Sequence, residues 1–329
     1  MEFLDTQIAP LGMGCWPIGG PMFSGDQSLG YSNAEDGMSI RTIHAALDGG
    51  ITLFDTAAAY GAGHSERLLA QALADRPDAM IVTKIGIGID EQSKQLSFDM
   101  PTPEDVQPAI EACLTRLNRD RIDLVLLHQN EMPIAEAAAI FDAMEEVRQS
   151  GKIRAFGWST DFSDRTAAMA KRDGFVAIEH AMNVFFDAEN VQTTARDHGL
   201  ARLIRSPLAM GVLTGKYGAT ERLGKDDIRA SGETWMEYFK DGRANPDYLA
   251  RLDAVRELLC SDGGSLVQGA LGWIWAKAPD NIPIPGARTE GQITEIAGAL
   301  AHGPLSAEVL TEIEAQIDRA SQPVPERPR

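Results

Sequence analysis

The chain has 329 residues, 44% of them hydrophobic, and a formal net charge of −18. A surface that acidic repels phosphate backbones and anionic lipid, which argues against nucleic-acid or membrane partners. The length suits one large α/β domain spanning 1–329, and three scattered cysteines, Cys15, Cys113 and Cys260, argue for a reducing, cytoplasmic setting over a disulfide scaffold or zinc cluster.

The first segment, MEFLDTQIAPLG, lacks a basic stretch followed by an apolar run, so no signal peptide is expected. No apolar stretch approaches the ~18 residues that span a bilayer. LGMGCW (11–16) predicts a first strand. AEDGMSIRTIHAALDGG (34–50) has apolar residues at helical spacing and a closing glycine pair. ITLFDT is strand two, and SERLLAQALAD is a helix with Ser65 as its expected N-cap. MIVTKIG is strand three, followed by TPEDVQPAIEACLTRLN, a helix with Thr102 as cap and Pro103 at its first position.

The alternation continues with IDLVLLH as strand four and a helix from Ile134 closed by Gly151. IRAFGWS is strand five, with a helix opening near Asp161 or Ser163. VAIEHAMN is strand six, then the helix NVQTTARDHG. ARLIRSP is strand seven, NIPIPG is strand eight, and TEGQITEIAGALA is read as the last helix, with Thr289 near its start. Residues 216–262 form a long polar connection with a helix expected at 246–259. Continuous apolar strands alternating with helices indicate a parallel sheet covered on both faces. Eight such units in this length predict a single-domain (β/α)8 TIM barrel.

In such a barrel the site lies at the C-terminal ends of the strands. Asp55 ends strand two, with Tyr60 just beyond; Lys84 lies near the end of strand three and His128 ends strand four. Taken singly, Asp55 reads as a turn residue, Tyr60 as packing, Lys84 as a solvated charge and His128 as a core histidine. Together on one rim they are a proton-delivery set. Tyrosine ionises near pH ~10, too high for neutral acid–base work. A neighbouring ammonium stabilises the phenolate, a carboxylate keeps that ammonium charged, and a neutral imidazole can orient a carbonyl. Within FDTAAAYGAGHSE, Gly61 and Gly63 are expected to let the backbone carry Tyr60 over the barrel mouth.

With these residues in place the chain resembles the aldo-keto reductase family nearly end to end, including its potassium-channel beta-subunit-like and general-stress-protein-like branches. DTAAAYGAGHSE, VTK and LLH match the family's tetrad motifs, and GKIRAFGWST, SPLAMGVLTGKY and IPGARTEGQITE follow in family order. The resemblance implies an NADPH-dependent reductase of a small-molecule aldehyde or ketone, with NADH also possible, in which Tyr60 is the general acid. It implies no metal. It places Gly286, Arg288, Gln292 and Glu295 at the adenosine end, Ser206, Leu208, Gly211 and Lys216 along the pyrophosphate, and Ser159, Glu179, Asn183 and Arg205 around the nicotinamide. Arg288 can hold a 2′-phosphate, and backbone N–H groups where PGARTEGQITE enters its helix suit a phosphate.

Four positions depart from the commoner family pattern: Glu179 for a glutamine, Thr160 for an asparagine, Arg205 for a stacking aromatic and Ile296 for an asparagine. Trp16 is expected to wall the substrate pocket, and Phe23 and Tyr31 either join it there or pack under their loop. GMGCWPIGG begins like a dinucleotide fingerprint but lacks the third glycine at the required offset. Two other readings stay open: oxidation of a sugar or alcohol with NAD(P), and a cofactor-binding regulatory protein with little turnover. A metal-dependent barrel hydrolase is disfavoured because LGMGCWP carries no His-x-His. The sequence leaves the oligomeric state open.

Overall fold

The computed structural model describes residues 1–31, 33–224, 227–232 and 236–317. Eight parallel strands form one sheet: β1 Gly12–Gly14, β2 Leu53–Asp55, β3 Met80–Ile85, β4 Ile122–Leu127, β5 Ile153–Ser159, β6 Phe175–Ala181, β7 Ala201–Arg205 and β8 Asn281–Pro283. Neighbours in sequence are neighbours in space, and a Gly14–Gly286 bridge joins the two edges. The sheet is therefore a closed (β/α)8 barrel, as expected. At the closing seam a Cβ on Gly14 would lie 2.5 Å from the Ile284 carbonyl oxygen, so the strands meet only because that side chain is missing.

The period-two alternation of a strand divides the barrel into two apolar layers. Leu53, Val82, Leu126, Ala177 and Leu203 face inward in one cluster. Their neighbours Phe54, Ile81, Val125, Ile178 and Ile204 belong to the outer cluster beneath the helices. A hairpin, Glu2–Phe3 with Thr6–Gln7, adds Phe3 and Ile8 to the inner cluster. The helices are α1 Asp36–Asp48, α2 His64–Ala72, α3 Pro103–Leu117, α4 Ile134–Gln149, α5 Ser163–Met169, α6 Glu189–Asp197, α7 Pro246–Leu259, α8 Leu266–Lys277, α9 Glu290–His302 and α10 Ala307–Gln316.

Several helices differ from the sequence expectation. α9 is not the last helix: α10 follows, and Glu314 on it accepts from Trp273 Nε1 at 2.9 Å. α8 was not foreseen because it is apolar all round. It packs between α7, α9 and α10, so no polar face marks its period. Ser65 is not a cap. Gly63, at φ 83°, precedes α2, and the buried Ser65 hydroxyl accepts from Thr56 Oγ1 at 2.9 Å and donates to the Cys15 carbonyl at 3.2 Å. Thr102 and Thr289 do start their helices. Asp105 accepts from the Thr102 N–H at 2.8 Å, and Gln292 N–H donates to Thr289 Oγ1 at 3.3 Å. Among the described residues no helix is long and apolar enough to cross a membrane.

Behind the barrel wall His180 is fully buried, with Nδ1 3.0 Å from the Ala181 carbonyl and Nε2 2.9 Å from Gln192 Nε2. The carbonyl needs an N–H and the amide needs an acceptor, so the ring sits neutral with its proton on Nδ1. Burial lowers its pKa to about 4. Because the unfolded ring binds its proton near pH ~6.5, this site is fully stabilising above that pH and loses its contribution as pH falls toward 4. His180→Asn is expected to flatten the fall of unfolding free energy between pH 6 and 4.5 by about one proton, or about 1.4 kcal/mol per pH unit. Denaturant titrations across that range measure it.

Candidate active site

The inward face of the barrel turns from apolar to polar in one step. Two residues beyond Leu53, Val82, Leu126, Ala177 and Leu203 stand Asp55, Lys84, His128, Glu179 and Arg205. All lie at the C-terminal strand ends, and the first four are at least nine-tenths buried. Lys84, 1% exposed, is the hub. Its Nζ donates to Asp55 Oδ1 at 2.6 Å and Oδ2 at 2.7 Å, and to the Thr56 carbonyl at 3.0 Å. It also lies 3.1 Å from Glu179 Oε2 and 3.4 Å from the Tyr60 hydroxyl.

These charges shape one another. Burial works against the Lys84 ammonium, but Asp55 and then Glu179 outweigh it, and its pKa stands above the ordinary lysine value. Asp55 is pushed well above the usual carboxylate range by burial and by the Glu179 charge, against the pull of Lys84. Burial, with Asp55 beside it, also raises the Cys15 thiol, which stays neutral. The Tyr60 ring stacks on Trp16 at 6.2 Å and meets His128 edge-on at 6.0 Å.

Local backbone explains how Tyr60 reaches this place. Gly61 and Gly63 both have left-handed φ, 62° and 83°. A Cβ on Gly61 would sit 1.8 Å from the Gly19 carbonyl oxygen, and one on Gly63 would strike the Arg116 side chain at 2.6 Å. Behind them Glu66 on α2 accepts from Thr83 Oγ1 at 2.6 Å and Arg116 Nε at 2.5 Å, tying the loop to β3 and α3.

Asp55, Tyr60, His128 and Glu179 open on a cavity of about 1470 Å³. That exceeds the ~300–1,000 Å³ of an ordinary small-ligand pocket. It runs past Arg205, Ser206, Leu208, Gly211 and Lys216 to Gly286, Arg288, Gln292 and Glu295. Ser159 and Asn183 lie behind the wall. Ser159 donates to Glu179 Oε1 at 3.3 Å, while Asn183 Nδ2 donates to the Ser206 carbonyl at 3.1 Å and Tyr238 Oη at 2.8 Å. The loop after β7 holds Ser206, Ala209 and Met210 at left-handed φ, 54°, 47° and 54°. Such strain in non-glycine residues gathers where a ligand is clamped. At the far end Arg288 donates through Nη2 to the Asn33 carbonyl at 2.7 Å, and its N–H donates to Gln292 Oε1 at 2.8 Å.

Trp16 lines the cavity as expected, and Tyr31 meets it edge-on at 5.5 Å. Phe23 does not line it. It belongs to a small sheet formed by the 23–28 and 88–97 hairpins, where its N–H donates to the Lys94 carbonyl at 2.9 Å. Met22, Leu29, Ile87, Leu96 and Phe98 make the rest of that wall mostly apolar. The 17–33 and 216–262 segments both contribute walls. Of the latter, residues 225–226 and 233–235 lie outside the described residues.

Two functional groupings escaped the sequence reading. Asp161, read only as a helix opening, is buried, pairs with Arg205 and accepts from the Ala181 N–H at 2.8 Å. The second is a strap over the cavity: Asp227 bridges to Tyr31, and Arg229 donates to Asp227 at 2.6 Å and to the Tyr217 hydroxyl at 2.5 Å. The first joins the end of β5 to β7; in the second Asp227, Arg229 and Tyr217 share the connection after β7, and the Tyr31 contacts tie it to the loop after β1.

A buried cluster of titratable side chains at the strand ends opens on a large cavity at the mouth of a (β/α)8 barrel, the face on which enzymes of this fold carry their sites. The family model for the aldo/keto reductase family matches residues 10–318. The chain is 32% identical over 307 residues to Aldo-keto reductase YhdN of Bacillus subtilis, covering 89% of this chain and 87% of that protein. It is 31% identical over 228 residues to the NADH-specific methylglyoxal reductase of Escherichia coli, covering 64% and 67%. Among solved structures, the glycerol dehydrogenase AKR11B4 from Gluconobacter oxydans superposes with a TM-score of 0.79 at 30% identity, covering 97% of this chain and 95% of that one. The chain belongs to the aldo/keto reductase family, and is an NAD(P)H-dependent oxidoreductase interconverting carbonyl and alcohol groups.

Gly61→Ala is expected to cost about 1–3 kcal/mol, because it forces a side chain into left-handed backbone against a carbonyl. Thermal unfolding reads that loss.

Proposed function

We propose that this chain reduces an aldehyde or ketone with NADPH, and that Asp55, Tyr60, Lys84 and His128 are its proton-transfer residues. The observation that carries the reading is Lys84, bonded to Asp55 and 3.4 Å from the Tyr60 hydroxyl at the edge of the cavity. The bound dihydronicotinamide supplies the hydride for the carbonyl carbon. Tyr60 gives its proton to the carbonyl oxygen, and the Lys84 ammonium stabilises the phenolate left behind. His128, edge-on to Tyr60, orients the carbonyl. The donors along the cavity fit the cofactor: Lys216 and the β7 loop for the pyrophosphate, Arg288 and Gln292 for the adenosine end. Ser159 and Asn183 act from behind, by holding Glu179 and the Ser206 carbonyl in place.

The apolar wall formed by Trp16, Met22, Leu29 and Phe98 favours a carbonyl with an apolar substituent. The likeness to a glycerol dehydrogenase supports a second reading, alcohol oxidation. Assays run in both directions on a carbonyl and polyol panel separate the two. We take the chain to act as one barrel domain. Its three cysteines are unbridged, which supports the cytoplasm as its compartment.

Tyr60→Phe is expected to lose about 10²–10⁴-fold in kcat while keeping its NADPH dissociation constant, read by fluorescence titration. Retained turnover would remove Tyr60 as donor. Arg288→Ala is expected to raise KM for NADPH at least about tenfold and leave KM for NADH nearly unchanged, since only the former carries the 2′-phosphate. Equal effects on both cofactors would assign Arg288 to the loop contact with Asn33 alone.

A further inference from the structure

Lys84 has three N–H groups and five oxygen atoms within reach. They are the two Asp55 oxygens, the Thr56 carbonyl, Glu179 Oε2 and the Tyr60 hydroxyl, which is the farthest at 3.4 Å. Glu179 therefore competes with Tyr60 for the ammonium. It also upsets the charge balance. One ammonium faces two carboxyls that are 3% and 2% exposed, so water at the cavity edge reaches little of either.

Among the described residues, the groups packed around the pair are a thiol, a hydroxyl, an imidazole ring and a guanidinium that is already paired. From β1, the Cys15 thiol is neutral. From β5, Ser159 offers a hydroxyl to Glu179. From the β4 end comes the His128 ring, next to Tyr60. The guanidinium of Arg205 on β7 is taken by Asp161. Two buried carboxyls on one cation settle this by keeping a proton between them, as close like charges do. The raised Asp55 carboxyl agrees with that.

We propose that Glu179 is a positioning residue of the proton-donor site: with Asp55 it forms a carboxyl pair that holds one proton beside Lys84, and the charge of this pair sets the pH at which Tyr60 ionises. With the proton in place the cluster of Lys84, Asp55 and Glu179 is neutral, and phenolate formation leaves one negative charge. Once the pair loses that proton, phenolate formation leaves two. The pair titrates as a unit and gives up its proton before Tyr60 does, so that Tyr60 stays protonated to higher pH than beside a single carboxylate.

This inference rests on Tyr60 as the donor, and its test has an arm independent of turnover. Infrared difference spectra of the wild-type protein at pH 7 are expected to show the carbonyl stretch of a buried protonated carboxyl, absent in Glu179→Gln. A wild-type spectrum without that band overturns the proposal. In Glu179→Gln the Tyr60 phenolate absorbance, isolated by subtracting the matching Tyr60→Phe protein, is expected at a midpoint lower by about 1–2 pH units. The alkaline limb of kcat/KM is expected to move with it. An unmoved midpoint with a weakened NADPH dissociation constant would make Glu179 a cofactor contact only, and so overturn the proposal. Turnover retained in Tyr60→Phe would instead defeat the donor reading and leave the infrared result standing.

Discussion

An ammonium group with 1% exposure is the constraint on which the top of this barrel depends. A lysine taken out of water loses its proton unless opposite charge holds it. Here that charge comes from β2 and β6, through Asp55 and Glu179, which approach Lys84 on β3 from two directions. Bonding these strand ends through one nitrogen makes the site rigid before any ligand arrives. Removing Lys84 would leave two buried carboxyls with no cation between them, and breaking buried pairs of this kind costs several kcal/mol even where they add little net stability.

The polar ring is a continuation of the core. Inward positions recur every second residue, so the side chains that follow Leu53, Val82, Leu126, Ala177 and Leu203 must also face the axis. Below that level the interior is closed by packing and by the hairpin residues Phe3 and Ile8. Above it the helix-bound loops open outward. Charged residues become tolerable at that rung because it is the first from which a cavity is accessible. The same geometry fixes chemistry and packing, and an inward residue cannot be moved by one position without exchanging a site residue for a core one.

That regularity is why the barrel and the tetrad were legible in the chain. Asp55, Lys84 and His128 each lie at or within one residue of a strand's C-terminal end, and the apolar runs before them mark those ends. What stayed hidden lacks a local period. α8 has no polar face, although Ser265 and Gln268 form a capping box that announces its start. Ser65 looked like a cap because Ser before an apolar run usually is one, but Gly63 provides the turn and the hydroxyl serves the β1–β2 seam. Glu179 was noted as an odd residue at a glutamine's place. Its contact with Lys84 needs the barrel to be closed before β3 and β6 can meet across it. The Asp161–Arg205 pair and the Arg229 strap are likewise products of closure.

Closure also separates two electrostatic regions within one cavity. Toward the axis the wall carries Asp55, Glu179 and Asp161, with Lys84 and Arg205 neutralising part of them. Toward the other end it carries Lys216, Arg229 and Arg288, with Asp227 bonded to Arg229. A ligand with a polyanionic half is oriented by that gradient, its phosphates drawn outward and its uncharged ring inward. The chain as a whole carries −18, so these few cations matter beyond their number. They are a local basic exception on an acidic protein, the charge an anionic ligand requires, and the strap that holds Arg229 against Tyr31 and Tyr217 keeps that exception in place.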